Sequence, residues 1–368
     1  MEKKNNYISA LQYSIIALLM SNSLFVGLGT MIILNISKQD SWITVGAAGL
    51  VGLIPILLLI YIINYHPALN IFNKNTKLFG SFLGNIINVM MIILVFITLT
   101  INIWDLSNYA STKYLSETPI IFVTIIFIIP IIYACYKGIE TIGRTSEILV
   151  FLGLILFAFI IWSLLGYSEF DNIKPILVNG INPIIEGGIR YISYIMIPFF
   201  LLSVIPKNDI VDNKNTTKYL ISSYLLSILS MFIVLYMSIS VLGIDIASLY
   251  RYTEYYLMKK IEVFGVLENL ENFFAIHWIF NMFTLNTMTV YFIMTYFIGI
   301  FKVKKDKPKL IIILIIASLS VISSLYIFKN STTAVHFMKN QYPILVALPI
   351  FIIIVISTFL ISIKKKAK

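Results

Sequence analysis

The chain has 368 residues, 59% of them apolar and only 12% charged, with a mean hydropathy of +0.92. A soluble domain carries about 25% charged residues, so this chain has too few to coat a water-facing surface, and a lipid bilayer is the solvent that removes the difficulty. The composition argues against disorder and nucleic-acid binding, and the net charge of +10 takes its meaning from where the basic residues lie.

A helix needs about 20 apolar residues to cross the hydrocarbon core, and ten stretches qualify: Ile8–Leu34, Trp42–Tyr65, Ser81–Leu106, Pro119–Tyr136, Ile139–Leu165, Ile184–Val204, Lys218–Leu242, Phe273–Phe301, Leu310–Phe328 and Pro343–Ile363. The first is too long for a signal-peptide core and lacks a clear cleavage site, so an uncleaved first span is expected. Near its middle it reads Ser21-Asn22-Ser23-Leu24-Phe25-Val26-Gly27-Leu28-Gly29-Thr30. Gly27 and Gly29 lower the cost of unwinding, and Asn22 and Ser23 can satisfy the backbone groups so freed. The third span carries Thr98, Thr100, Asn102 and Asp105.

At the start of the fifth span, Glu140, Arg144 and Glu147 fall four and three apart and share a helix face, with Arg144 the nearest partner for Glu147. The sixth has Gly187 and Gly188 near its start, Pro198 near its middle, and the i,i+4 pair Glu186–Arg190. Both charge clusters read first as structural ion pairs and second as gates. In the loop from Gly243 to Asn272, apolar residues of Ile261–Asn272 recur at helical spacing, so a short surface helix is expected there. The eighth span carries His277, Asn281, Thr284, Asn286 and Thr287, with His277 expected at the interface. The three histidines, His66, His277 and His336, are far apart, so no metal cluster is expected, and no cofactor is called for. The lone Cys135 permits no intramolecular disulfide.

With the N-terminus in the cytoplasm, 18 of the 27 basic residues lie in inside segments, 8 in outside segments, and Arg190 within a span. That asymmetry places both termini inside. Interruptions in the first and sixth of ten spans fall at corresponding positions of two five-span halves, 8–166 and 184–364, within one integral membrane domain, 1–368. This is the pattern of an inverted-repeat transporter with a midplane site between broken helices 1 and 6. The competing reading is that these Gly and Pro residues serve only close helix packing.

The Gly138–Glu147 string GIETIGRTSE resembles the G-x-E-T-x-x-R-x-x-E segment of the spore germination B-subunit permeases. Gln39–Ile43 before the second span and Glu268–Phe274 before the eighth are similar to that family as well. The resemblance implies the amino acid–polyamine–organocation (LeuT-like) fold, all-α and polytopic, with five-plus-five helices. It also implies a nutrient germinant receptor subunit acting with an A subunit and a lipoprotein C subunit in the spore inner membrane. The ligand, a small nutrient such as an amino acid, would sit among Phe25, Gly27, Gly29, Thr98 or Asn102, the Tyr194–Pro198 region, and Thr284 or Thr287. A secondary active amino-acid or amine permease is the alternative on the same fold. An enzyme is disfavoured, because the spans hold few acids or histidines and no nucleophile–base set.

Overall fold

The computed structural model describes residues 7–260 and 270–366. Nearly all of them are helical: α1 (Ala10–Ser23), α2 (Leu28–Ser37), α3 (Ser41–Asn64), α4 (Ile71–Phe79), α5 (Ser81–Lys113), α6 (Ile120–Lys137), α7 (Ile139–Leu164), α8 (Asn182–Leu201), α9 (Thr216–Leu242), α10 (Ile244–Leu249), α11 (Thr253–Lys259), α12 (Glu271–Ile300), α13 (Asp306–Ile327), α14 (Ser331–His336) and α15 (Leu348–Lys366). Two short strands, β1 (Ile8–Ser9) and β2 (Ile210–Val211), pair in parallel and tie the start of the first helix to the α8–α9 connection. Among the described residues, nine segments are long and apolar enough to cross a membrane. The first expected span is divided: α1 is too short to cross alone, and α2 runs on into α3 as one of the nine segments, Leu28–Asn64.

Burial sorts the helices. α8 is the most enclosed, with 83% of its most apolar window inside the protein, whereas for α7 the figure is 22%. Large apolar side chains such as Phe82, Ile93, Phe151 and Leu154 remain exposed, as a lipid-facing surface requires. α1 packs against α7, α8, α9 and α12, and α8 against α2 and α3, so α1, α2 and α8 form the centre.

Local chemistry sets the ends. Ser9 and Gln12 form a reciprocal capping box that starts α1. Gly138, at φ 99°, ends α6 and starts α7. α5 runs two turns past the expected end at Leu106, since no Gly or Pro interrupts it before Lys113. The last crossing starts at Pro343 as expected, but the helix that carries it begins earlier, at Ser331: Asn330 caps it by accepting from the Thr333 amide. It then passes through π-helical turns at Phe337–Gln341 and Pro343–Ala347. Residues 261–269, which carry most of the surface helix expected at Ile261–Asn272, lie outside the described residues.

One expectation is corrected. The sixth crossing does not break: α8 continues through Gly187, Gly188 and Pro198 to Leu201 and then winds into a 3-10 turn over Leu202–Val204. Its glycines serve close approach instead. A Cβ on Gly187 would overlap Ser37 Oγ and lie 3.0 Å from Thr44 Cγ2, and one on Gly188 would lie 3.0 Å from the Ala48 Cβ. Pro198 falls in the last turn before the 3-10 segment, where the surrounding helices enclose the backbone it disturbs.

Candidate functional site

The break in the first crossing runs from Leu24 to Gly27. Gly27 turns the chain at φ 86°, a conformation that costs other residues strain. A Cβ there would lie 3.3 Å from the Tyr252 ring and 3.4 Å from Asp105 Oδ2. The groups freed by the break find new partners. The Trp278 indole donates to the Ser23 carbonyl at 3.3 Å, and the Thr30 amide reaches back to the Phe25 carbonyl at 2.8 Å.

The first turn of α2 presents its positive end toward the middle of the protein. The group seated there comes from a connecting segment: Thr30 Oγ1 donates to Glu254 Oε1 of α11 in a short hydrogen bond of 2.5 Å. Glu254 is fully buried, and burial pushes its carboxyl up to about 7, opposed by the Thr30 hydrogen bond and by backbone amides that include Gly27, with Asp105 pushing the same way as burial.

α10 and α11 cover this site. Arg251 Nη2 donates to Asn108 Oδ1 at 2.7 Å and lies 3.4 Å from Asp105 Oδ1. It also donates to the Tyr252 hydroxyl and, through Nη1, to Ser331 Oγ. Tyr252 in turn donates to Asp105 Oδ1 at 3.0 Å. Beneath it Tyr109 meets Tyr252 and Trp278 edge-on, with ring centroids 4.8 and 4.9 Å apart. A connecting segment is thus latched onto α5 and α14 by one arginine and packed on aromatic rings.

The expected ligand residues divide into groups. Phe25, Gly29, Tyr194 and Thr98 come together. A Cβ on Gly29 would lie 3.0 Å from Phe25 and 3.3 Å from Tyr194. Phe25 meets Tyr191 edge-on at 5.1 Å, Tyr194 meets Tyr342 at 5.9 Å, and Thr98 Oγ1 lies 3.2 Å from the Tyr342 hydroxyl. Gly27 sits on the lid side of the break, against Tyr252 and Asp105. Asn102 is buried between Thr98 and Asp105 on one face of α5, and neither of its amide atoms has a partner. Pro198 lies one turn beyond Tyr194 on α8, buried. Thr284 spends its hydroxyl on the Phe280 carbonyl, while buried Thr287 has no partner for its own.

The ion pairs also divide. Arg144 and Glu140 pair at 2.6 Å, and Arg190 and Glu186 at 3.1 Å. Glu147 takes a different partner from the expected Arg144: Gln12 Nε2 donates to it at 3.0 Å, because Gly143 lets α1 approach α7 closely. His277 packs between helices. It lies against Gly153 of α7 and 3.3 Å from Asn281 Nδ2, beside a cavity between α1, α7, α9 and α12. Arg251, Tyr252 and Glu254 escaped the sequence reading. The available signal was a string of charged residues and tyrosines, Tyr250-Arg251-Tyr252-Thr253-Glu254-Tyr255-Tyr256, too polar for a span and too aromatic for an ordinary loop.

A family model described as "Spore germination protein" matches residues 7–332. The chain belongs to this spore germination protein family. Relatives in the family include spore germination protein KB of Bacillus subtilis (strain 168), 25% identical over 376 residues, spanning 100% of this chain and 97% of KB. Another is spore germination protein XB of Bacillus anthracis, 26% identical over 157 residues, or 43% of this chain and 44% of XB. Among solved structures, this germination protein is similar to MhsT in complex with L-phenylalanine, with a TM-score of 0.61 and 14% identity over 95% of this chain and 88% of MhsT. It is also similar to a Na+-coupled sialic acid symporter, with a TM-score of 0.65 and 12% identity over 94% of this chain and 79% of the symporter. At these identities the likeness shows the fold, that of LeuT-like transporters.

Proposed function

We propose that this family member is the B subunit of a nutrient germinant receptor. It binds a small amino acid at the α1–α2 break and acts with an A subunit and a lipoprotein C subunit in the spore inner membrane, both termini cytoplasmic. The observation that carries the reading is the seating of Glu254. In inverted-repeat transporters the N-terminus of an interrupted helix faces the anionic group of the substrate. Here a carboxylate of the protein's own, bonded to Thr30, fills that seat. An amino acid carboxylate replaces it, and its side chain enters the space bounded by Phe25, Gly29, Tyr194 and Thr98. The α10–α11 segment released from Thr30 then carries the signal toward partner subunits.

The test is germination of a deletion strain, complemented with wild-type or variant chains, against a panel of L-amino acids, sugars and nucleosides. Wild type restores the response to an amino acid. Gly29→Leu, which fills the space beside Phe25 and Tyr194, raises the half-maximal concentration tenfold or more. Glu254→Ala, which vacates the seat, lowers it. Normal germination of Gly29→Leu spores at limiting nutrient sinks the proposed pocket. Uptake of labelled amino acid by the chain alone in vesicles would favour instead a secondary active amino-acid or amine permease on the same fold.

A further inference from the structure

A cavity of about 190 Å³ lies on the other side of α1 from the aromatic cluster, walled by α1, α7, α9, α11 and α12. Its lining is almost wholly apolar, and Leu154, Leu226 and Leu229 at its edge are more than half exposed. In a bilayer those residues face acyl chains, so the cavity opens sideways into lipid between α7 and α9.

On its wall buried His277 Nδ1, beside Gly153, lacks a partner, and so do two acceptors, Asn22 Oδ1 and Glu254 Oε2. Their orientations are fixed by what the other atom of each group does. Ser230 donates its hydroxyl proton to the Ser227 carbonyl at 2.9 Å, so toward Asn22 it can only accept. Asn22 therefore presents Nδ2 to Ser230 at 2.8 Å, and Oδ1 is left over. Likewise Thr30 engages Glu254 Oε1 and leaves Oε2. An unpaired buried acceptor costs about 1–3 kcal/mol, and within a membrane such groups mark binding sites or pathways.

We infer that this cavity is a second ligand site, separate from the germinant pocket, which takes a small membrane-partitioned primary amine. Its ammonium donates to Asn22 Oδ1 and Glu254 Oε2, and its apolar body fills the space toward Leu229. The two acceptors select a donor head group, and a carboxyl among them favours a cation. An apolar cavity of about 150 Å³ accommodates benzene, so this one holds a ring with a short tail. Because Glu254 also seats on α2, occupancy here touches the same carboxylate that covers the germinant pocket.

Purified full-length protein in lipid nanodiscs, titrated with tritiated 2-phenylethylamine against excess unlabelled probe, tests the inference. Saturable one-to-one binding is expected, at least tenfold weaker in Asn22→Leu and in Glu254→Gln. 3-Phenylpropionate should fail to compete. Leu229→Trp, a change on the lipid-facing rim that leaves the core untouched, should abolish binding by closing the mouth. Gly29→Leu should leave it unchanged. Absence of saturable binding overturns the site, as does binding that survives Leu229→Trp and Asn22→Leu. Binding lost in Gly29→Leu would place the amine in the germinant pocket and equally overturn it, without bearing on whether that pocket takes amino acids.

Discussion

Glu254 concentrates the physics of the proposed germinant site in one carboxyl. Burial raises it to about 7 from an ordinary 4.5. The groups facing it are Thr30 and the Gly27 backbone on the α1–α2 side and the like-charged Asp105 on α5. A carboxyl raised in the folded, closed arrangement favours that arrangement in its protonated form. The contribution is complete below about 4.5 and is lost as the pH rises through about 7. The lid should therefore open more readily in alkaline than in acidic solution. Ala247 of α10 is fully buried, which makes a reporter. In an Ala247→Cys, Cys135→Ser background, maleimide labelling should rise between pH 5 and 8.5 faster than thiol ionisation alone accounts for. In the same background with Glu254→Gln, which stays neutral throughout, only the thiol's own slope should remain. Equal labelling ratios for the two proteins across that range would show that Glu254 does not titrate with the lid.

At the scale of helices, glycine does two different things in this chain, and the sequence does not tell them apart. At Gly27 it turns the backbone, and the break expected in the first crossing is there. At Gly187 and Gly188 it lets α8 meet α2 and α3, and the break expected in the sixth crossing is absent. Both segments look alike as strings, because the space that a missing Cβ fills belongs to a partner helix far away in sequence. The polar faces of α5 and α12 were legible from spacing alone, as were Glu140–Arg144 and Glu186–Arg190, since i,i+4 neighbours are fixed by the helix itself. Glu147 with Gln12, and Glu254 with Thr30, were not, being separated by 135 and 224 residues. The same contrast gives a stability test. A Cβ on Gly84 of α5 would lie 2.6 Å from Thr76 Cα and 2.8 Å from the Asn75 carbonyl oxygen, backbone atoms that cannot step aside. Gly299 of α12 has open space around it. Gly84→Ala should lower the melting temperature in detergent, with an overpacking cost of about 1–3 kcal/mol or more. Gly299→Ala should raise it slightly, by up to about 1 kcal/mol of helix propensity. Equal effects from the two substitutions would mean that α4 and α5 are not in the contact described.

For the whole molecule, the arrangement is that of a LeuT-like fold whose candidate site is covered by its own connecting segment. Glu254 holds that segment from below, and the aromatic packing of Tyr252 on Tyr109 and Trp278 fills the space between. Arg251 holds it from the side, tying it to Asp105 and Asn108 on α5 and Ser331 on α14. The Arg251 and Asp105 side chains are 15% and 6% exposed. In so dry a setting, removing one partner costs more than removing both, because the survivor is left charged and unpaired, a penalty of about 3–5 kcal/mol for a fully buried pair. This predicts a non-additive cycle. Arg251→Ala should strip the lid of its latch and strand Asp105, so that Ala247→Cys labels many times faster and germination becomes less dependent on nutrient. Asp105→Asn should loosen the lid less, since Arg251 keeps Asn108 and Ser331. The double variant should label no faster than Arg251→Ala alone, because the buried charge that drove the extra opening is gone. If the two changes multiply in labelling rate, Asp105 and Arg251 act independently and the lid is held by its aromatic packing instead.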